Sequence, residues 1–137
     1  MKIVIIDGQG GRFGSALISR IIAAGAECSL VAVGTNSMAT SAMIKAGAVL
    51  SATGENPVVY NAKDADVIMG PMGIIAANSF LGELSPAMSL AVSQSNALKI
   101  LIPVNKCNIF VSGVEGETLT QLLDGAVAKL LSVLSEE

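Results

Sequence analysis

Lys2-Ile3-Val4-Ile5-Ile6-Asp7-Gly8-Gln9-Gly10-Gly11-Arg12-Phe13-Gly14 is the stretch whose reading decides the fold. Residues 2–6 are apolar and mostly β-branched after Lys2, as in a strand buried on both faces. The glycines then turn the chain tightly, and a helix begins. Glycine lets backbone come close to a phosphate, and the free N–H groups of the following helix face the anion. The stretch predicts where a ligand sits. It does not name a reaction.

Outward from this turn, apolar runs alternate with helical patterns. Phe13, Leu17, Ile18, Ile21 and Ile22 recur at helical spacing between Arg12 and Ala24, and Gly25 stops the helix. A second strand spans Ser29–Val33 and ends at Gly34-Thr35-Asn36. Thr35 or Ser37 is the expected cap of a helix that runs to about Ala46. A third strand is expected over Val49–Ser51, then an extended piece at Pro57-Val58-Val59-Tyr60. A fourth, Asp66–Met69, ends at a second glycine turn, Gly70-Pro71-Met72-Gly73. Helices are expected over Ile74–Leu81, from Ser85-Pro86 to about Ser95, and from the Thr118/Gln121 capping box onward. Lys99–Ile102 and Asn108–Ser112 read as the fifth and sixth strands.

The pattern predicts a single α/β domain over residues 1–137. It is a Rossmann-like three-layer fold with a mostly parallel sheet of about six strands in the order 3-2-1-4-5-6. The ligand crevice of such a sheet lies between strands 1 and 4, at their carboxyl ends. Both glycine turns fall there. The expected binding residues are Gly8, Gln9, Gly10, Gly11, Arg12, Phe13, Gly14, Gly34, Thr35, Asn36, Gly70, Pro71, Met72 and Gly73.

The 137 residues suffice for one core. Of these, 52% are hydrophobic and 14% charged, yet no apolar run approaches the roughly 20 residues of a membrane span. Met1-Lys2 passes directly into a strand, so no leader is expected and the cytoplasm is the expected compartment. Two cysteines make no disulfide framework. A net charge of −3, without basic clusters or Trp, argues against nucleic acid as the partner. So apolar a domain is expected to leave apolar surface that a homodimer buries.

Several features weaken a conventional dehydrogenase. The glycines fit Gly8-x-Gly10-x-x-x-Gly14 or Gly8-x-x-Gly11-x-x-Gly14, and neither is the dinucleotide fingerprint. Asp7 repels a phosphate unless it is turned away, paired or capping the loop's own N–H groups. The end of the second strand lacks the acid that binds the ribose of NAD and the Arg that takes the extra phosphate of NADP. There is no histidine, which excludes a His base and most zinc sites, and no metal site is expected. Lys63 lies three residues beyond Tyr60, not four, so the Tyr-x-x-x-Lys pair of short-chain dehydrogenases is missing.

Three readings stay open. One is a binding protein for NAD(P), another nucleotide or another phosphorylated small molecule. The second is an enzyme acting on a sugar-phosphate or nucleotide through Lys106, Glu55 and Asp7, with Cys107 a lesser candidate nucleophile. The third is a non-catalytic dimeric module with a degenerate site. Glu55 and Glu83 are candidate acids or bases, with Glu83 reading first as a solvated loop residue. Asn78 and Ser79 read as polar interruptions of an apolar helix that need partners.

The segments Ile5-Ile6-Asp7-Gly8-Gln9-Gly10-Gly11, Gly34-Thr35-Asn36, Ala39 to Ala48, Ala52-Thr53-Gly54-Glu55-Asn56, Gly70-Pro71-Met72-Gly73-Ile74 and Ile102 to Asn108 together resemble a family of short bacterial proteins of Firmicutes type. That family is known as a domain of unknown function. The resemblance covers nearly the whole chain. It implies a single cytoplasmic Rossmann-like domain and brings no activity, substrate or catalytic residue.

Overall fold

The computed structural model describes residues 1–104 and 108–136. Five parallel strands, β1 (Lys2–Asp7), β2 (Ser29–Gly34), β3 (Leu50–Thr53), β4 (Val67–Pro71) and β5 (Leu98–Ile102), lie in the order β3-β2-β1-β4-β5. Helices α1 (Arg12–Ala23), α2 (Ser37–Lys45), α3 (Glu55–Ala62), α4 (Pro86–Gln94) and α5 (Leu119–Ser135) connect the strands or follow them, and a short 3₁₀ turn covers Met72–Ile75.

Strand alternation divides the core. Ile3 and Ile5 face Leu17, Ile18, Ile21, Met43, Leu123 and Leu130, so α1, α2 and α5 cover one face. Val4 and Ile6 face Val58, Leu84, Met88 and Val92, so α3 and α4 cover the other. Burial on both faces explains why β1 carries no polar residue from Ile3 to Ile6. Thr118 Oγ1 accepts from Gln121 N at 3.1 Å while Gln121 Oε1 accepts from Thr118 N at 2.8 Å, the capping box expected from the sequence. No helix among the described residues is long and apolar enough to cross a membrane.

Four expectations are corrected. The sheet has five strands among the described residues, not six. Asn108–Ser112 forms turns and irregular chain, with Asn108 at φ 57°. Only residues 103–107 separate it from β5, and a parallel crossover needs a dozen or more. Pro57–Tyr60 is helical, not extended. Pro57 sits in the first turn of α3, where its missing N–H has no acceptor to lose, and Val58 is buried in the core. Ile74–Leu81 is not a helix. After the 3₁₀ turn, Asn78, Phe80 and Leu81 all adopt positive φ. The cap of α2 is Asn36, whose Oδ1 accepts from Ala39 N at 2.8 Å, and neither Thr35 nor Ser37 takes that role.

Candidate functional site

Asp7 ends β1 with 2% of its surface exposed. Its Oδ1 accepts from Gly8 N at 2.8 Å and its Oδ2 from Gly14 N at 2.7 Å, so the carboxylate ties the glycine loop to the strand it leaves. Burial pushes its pKa up from the ordinary carboxylate value. The N–H groups of Gly14, Gly8 and Phe13 oppose that rise without cancelling it, and the charge of Glu83 adds to it.

The loop closes on itself through Gly11 N donating to Gly8 O at 2.9 Å. Gly11, the residue before α1, has φ 73°, a conformation that favours glycine. An added Cβ there would lie 2.8 Å from Ala39 O, so α2 passes directly over it. At Gly14 the neighbours are Met43 and Asp7, and at Gly8 they are Thr35, Phe80 and Glu83. Thus Gly8, Gly11 and Gly14 fit contacts within the protein, and the three-residue spacing has a steric origin. Gly10 differs: an added Cβ would meet nothing within 4 Å.

Glu83, a candidate acid or base that the sequence favours as a solvated loop residue, is instead tied into the site. Its Oε1 accepts from Thr35 Oγ1 at 2.6 Å, from Asn36 Nδ2 at 2.8 Å and from Gln9 N at 3.0 Å. Partial burial would raise its pKa, but these three donors together hold it below the usual glutamate value. The second oxygen, Oε2, receives no hydrogen bond from any described residue. A carboxylate thus reaches the end of β2 from the segment between β4 and α4. The adjacent side-chain donors Thr35 and Asn36 were the available signal, because clustered donors need an acceptor.

Phe80 belongs to the same segment. Added Cβ atoms at Gly8 and Gly73 would lie 2.8 and 2.9 Å from its ring, so the ring sits on both glycine turns. Ser79 Oγ donates to Gly73 O at 2.5 Å and Asn78 N to Leu84 O at 2.7 Å, which gives the polar pair its partners outside a helix. Residues 76–83 form a strap across the crevice between β1 and β4.

Of three adjoining cavities that share Gln9, one of about 490 Å³ lies along residues 76–81 and Asn108, and two include Gly10 of the loop. Of these two, one of about 110 Å³ is lined by Asp7, Gly8, Gln9, Gly10, Gly11, Arg12, Phe13, Phe80 and Val104. The other, about 660 Å³ and open, is lined by Gln9, Gly10, Asn36, Ser37, Met38, Leu81 and Glu83. Gln9 and Gly10 belong to both. Gly14, Gly34 and Thr35 stand behind the walls of these cavities. Gly34 pairs with Asp7 in the sheet, and its missing side chain admits the backbone of Thr40. Gly70 and Pro71 lie within β4, while Met72 and Gly73 open the 3₁₀ turn; none of the four lines either cavity.

Of the expected catalytic group, Asp7 is committed to the loop. Glu55 begins α3, accepts from Ser85 Oγ at 2.5 Å and lines neither cavity. Lys106 and Cys107 lie outside the described residues, as does Asn105.

The family model described as Domain of unknown function (DUF3842) matches residues 2–135. The chain belongs to that family. This bears out the resemblance to a domain of unknown function read from the sequence. None of the curated proteins compared with the chain matches it. Among solved structures, the chain is similar to the dodecameric FMN-dependent UbiX-like decarboxylase of Escherichia coli O157:H7. The identity is 14%, with 98% of this chain and 95% of that chain covered and a TM-score of 0.44.

Proposed function

We propose that this protein binds a phosphorylated small molecule of the nucleotide class where β1 and β4 end. The observation that carries this reading is the state of the N–H groups in the loop. Gly8 and Gly14 donate to Asp7, Gln9 to Glu83 and Gly11 to Gly8 O. Gly10 and Arg12 have no backbone N–H acceptor among the described residues. Both line the smaller cavity, and the Arg12 side chain, exposed and without an ion pair among the described residues, stands at the same place. Two free N–H donors and a guanidinium suit a phosphoryl oxygen. The smaller cavity has space for one such group and not for a base. The capped state of Asp7 keeps its carboxylate occupied by the loop.

Inorganic pyrophosphate and 5′-AMP are each expected to raise the thermal midpoint of the parent protein. Arg12→Ala removes a charge-assisted contact, and affinity for pyrophosphate should fall about tenfold or more. Gly10→Ala has room for its methyl group and should fold normally, so a lost shift in that variant reports ligand approach. A parent protein indifferent to both compounds at millimolar concentration would sink the reading.

We also propose that two copies associate through the edge of β3, which among the described residues pairs only with β2. No charged residue occurs from Gly47 to Thr53, and Val49 is 90% exposed beside exposed Leu50 and Ile22. An edge strand without charge, proline or cover is an invitation to pair, and a two-fold axis makes the pairing self-limiting. Sedimentation should show a dimer for the parent and a monomer for Val49→Asp. A monomeric parent at high concentration overturns this.

A further inference from the structure

We propose that Glu83 makes this a site for ribonucleoside 5′-phosphates, by accepting from the ribose hydroxyls with its free oxygen. The inference rests on the phosphate site proposed above and adds the identity of the group attached to the phosphate.

Glu83 is held by three donors that all converge on Oε1. This fixes the carboxylate and leaves Oε2 as an acceptor without a described donor, on a residue that lines the larger cavity. A fixed, ionised carboxylate oxygen at a cavity wall suits a pair of vicinal hydroxyls, which donate and are neutral, better than a second anion. The larger cavity shares Gln9 and Gly10 with the phosphoryl site, so a phosphate at Gly10 and Arg12 places the next few atoms of its ligand beside Glu83.

The rest of that cavity supplies a place for a base. Met38 is 69% exposed and Leu81 is 101% exposed, and both line it. Leu81 also has φ 56°, which is costly for a residue with a branched side chain. A leucine held in a left-handed conformation with its side chain in water gains nothing from the protein's own packing. A flat apolar ring lying between Leu81 and Met38 would cover both.

Glu83→Gln separates this role from the role of the tether. Glutamine keeps a carbonyl oxygen for Gln9, Thr35 and Asn36, and turns the free acceptor into an NH₂ donor. Titration calorimetry compares 5′-AMP, 2′,3′-dideoxy-AMP, ribose 5-phosphate and inorganic pyrophosphate. The parent should bind 5′-AMP about tenfold or more tightly than the dideoxy compound. Glu83→Gln should abolish that preference and leave pyrophosphate affinity unchanged. Leu81→Ala should weaken 5′-AMP several-fold and leave ribose 5-phosphate unchanged. Equal affinity of the parent for 5′-AMP and its dideoxy analogue, with pyrophosphate still bound, overturns the role of Glu83 and leaves the phosphate site standing. Failure of every compound to bind overturns both.

Discussion

Replacing Gly70 with alanine is expected to lower the thermal midpoint by about 10 °C or to prevent folding. Gly70 lies in β4 beside β1, and a Cβ there would run into the backbone carbonyl oxygen of Ile6. The obstacle is main chain in the central strand, so no rotamer change removes it. β1 and β4 would have to separate just where β1 hands over to the glycine loop. Overpacking of a tight core costs about 1–3 kcal/mol and occasionally more, and a backbone clash belongs at the upper end. For a domain of this size each kcal/mol moves the midpoint by about 3–4 °C. Calorimetry of Gly70→Ala checks the value, with Gly10→Ala as the control whose methyl group meets open space. A Gly70→Ala midpoint within about 2 °C of the parent would show that the strands are not in contact there.

Asp7→Ala should cost about 2–3 kcal/mol. It leaves the buried N–H groups of Gly8 and Gly14 without their acceptor, at about 1–3 kcal/mol each, while removing a buried charge and letting water enter from the adjoining cavity. Urea denaturation measures it. The same residue sets a pH dependence. Its folded pKa lies above the ordinary value, so over that interval the folded state binds more protons than the unfolded chain. The contribution of Asp7 to stability therefore decreases as pH rises from about 3.9 through the folded pKa, and is constant above it. Asp7→Asn cannot titrate. The stability of the parent relative to Asp7→Asn should grow as pH falls through that interval. A difference independent of pH would mean that burial does not govern Asp7. The comparison cancels the opposite contribution of Asp64, whose pKa is lowered, while Glu83, whose charge acts on Asp7, is read together with it.

Much of the fold was legible because it rests on local chemistry. The β-branched run of β1, the glycine stop after α1, the Ser85-Pro86 start of α4 and the Thr118/Gln121 box each satisfy backbone or packing needs within a few residues. The sixth strand was misread because apolar alternation at Asn108–Ser112 says nothing about a partner. The short connection from β5 was the contrary signal in the same sequence. Pro57–Tyr60 was misread because β-branched residues suit strands, whereas the parallel crossover from β3 to β4 is of the kind usually made by a helix, here α3.

By itself, the sequence determined the alternation of strands and helices and the place where the glycine loop turns, because periodicity, caps and turns are properties of neighbouring residues, and the order β3-β2-β1-β4-β5 followed from the usual winding of such parallel sheets. Tertiary structure alone decided what occupies that turn. Glu83 meets Gln9 from 74 positions away and Thr35 from 48, and the Phe80 ring joins two glycine turns far apart in the chain. Such contacts depend on chain reversal in three dimensions, and no local pattern encodes them. They turn a loop that reads as a phosphate cradle into one largely occupied by the protein's own groups, with the N–H groups of Gly10 and Arg12 and one oxygen of Glu83 left without a partner among the described residues.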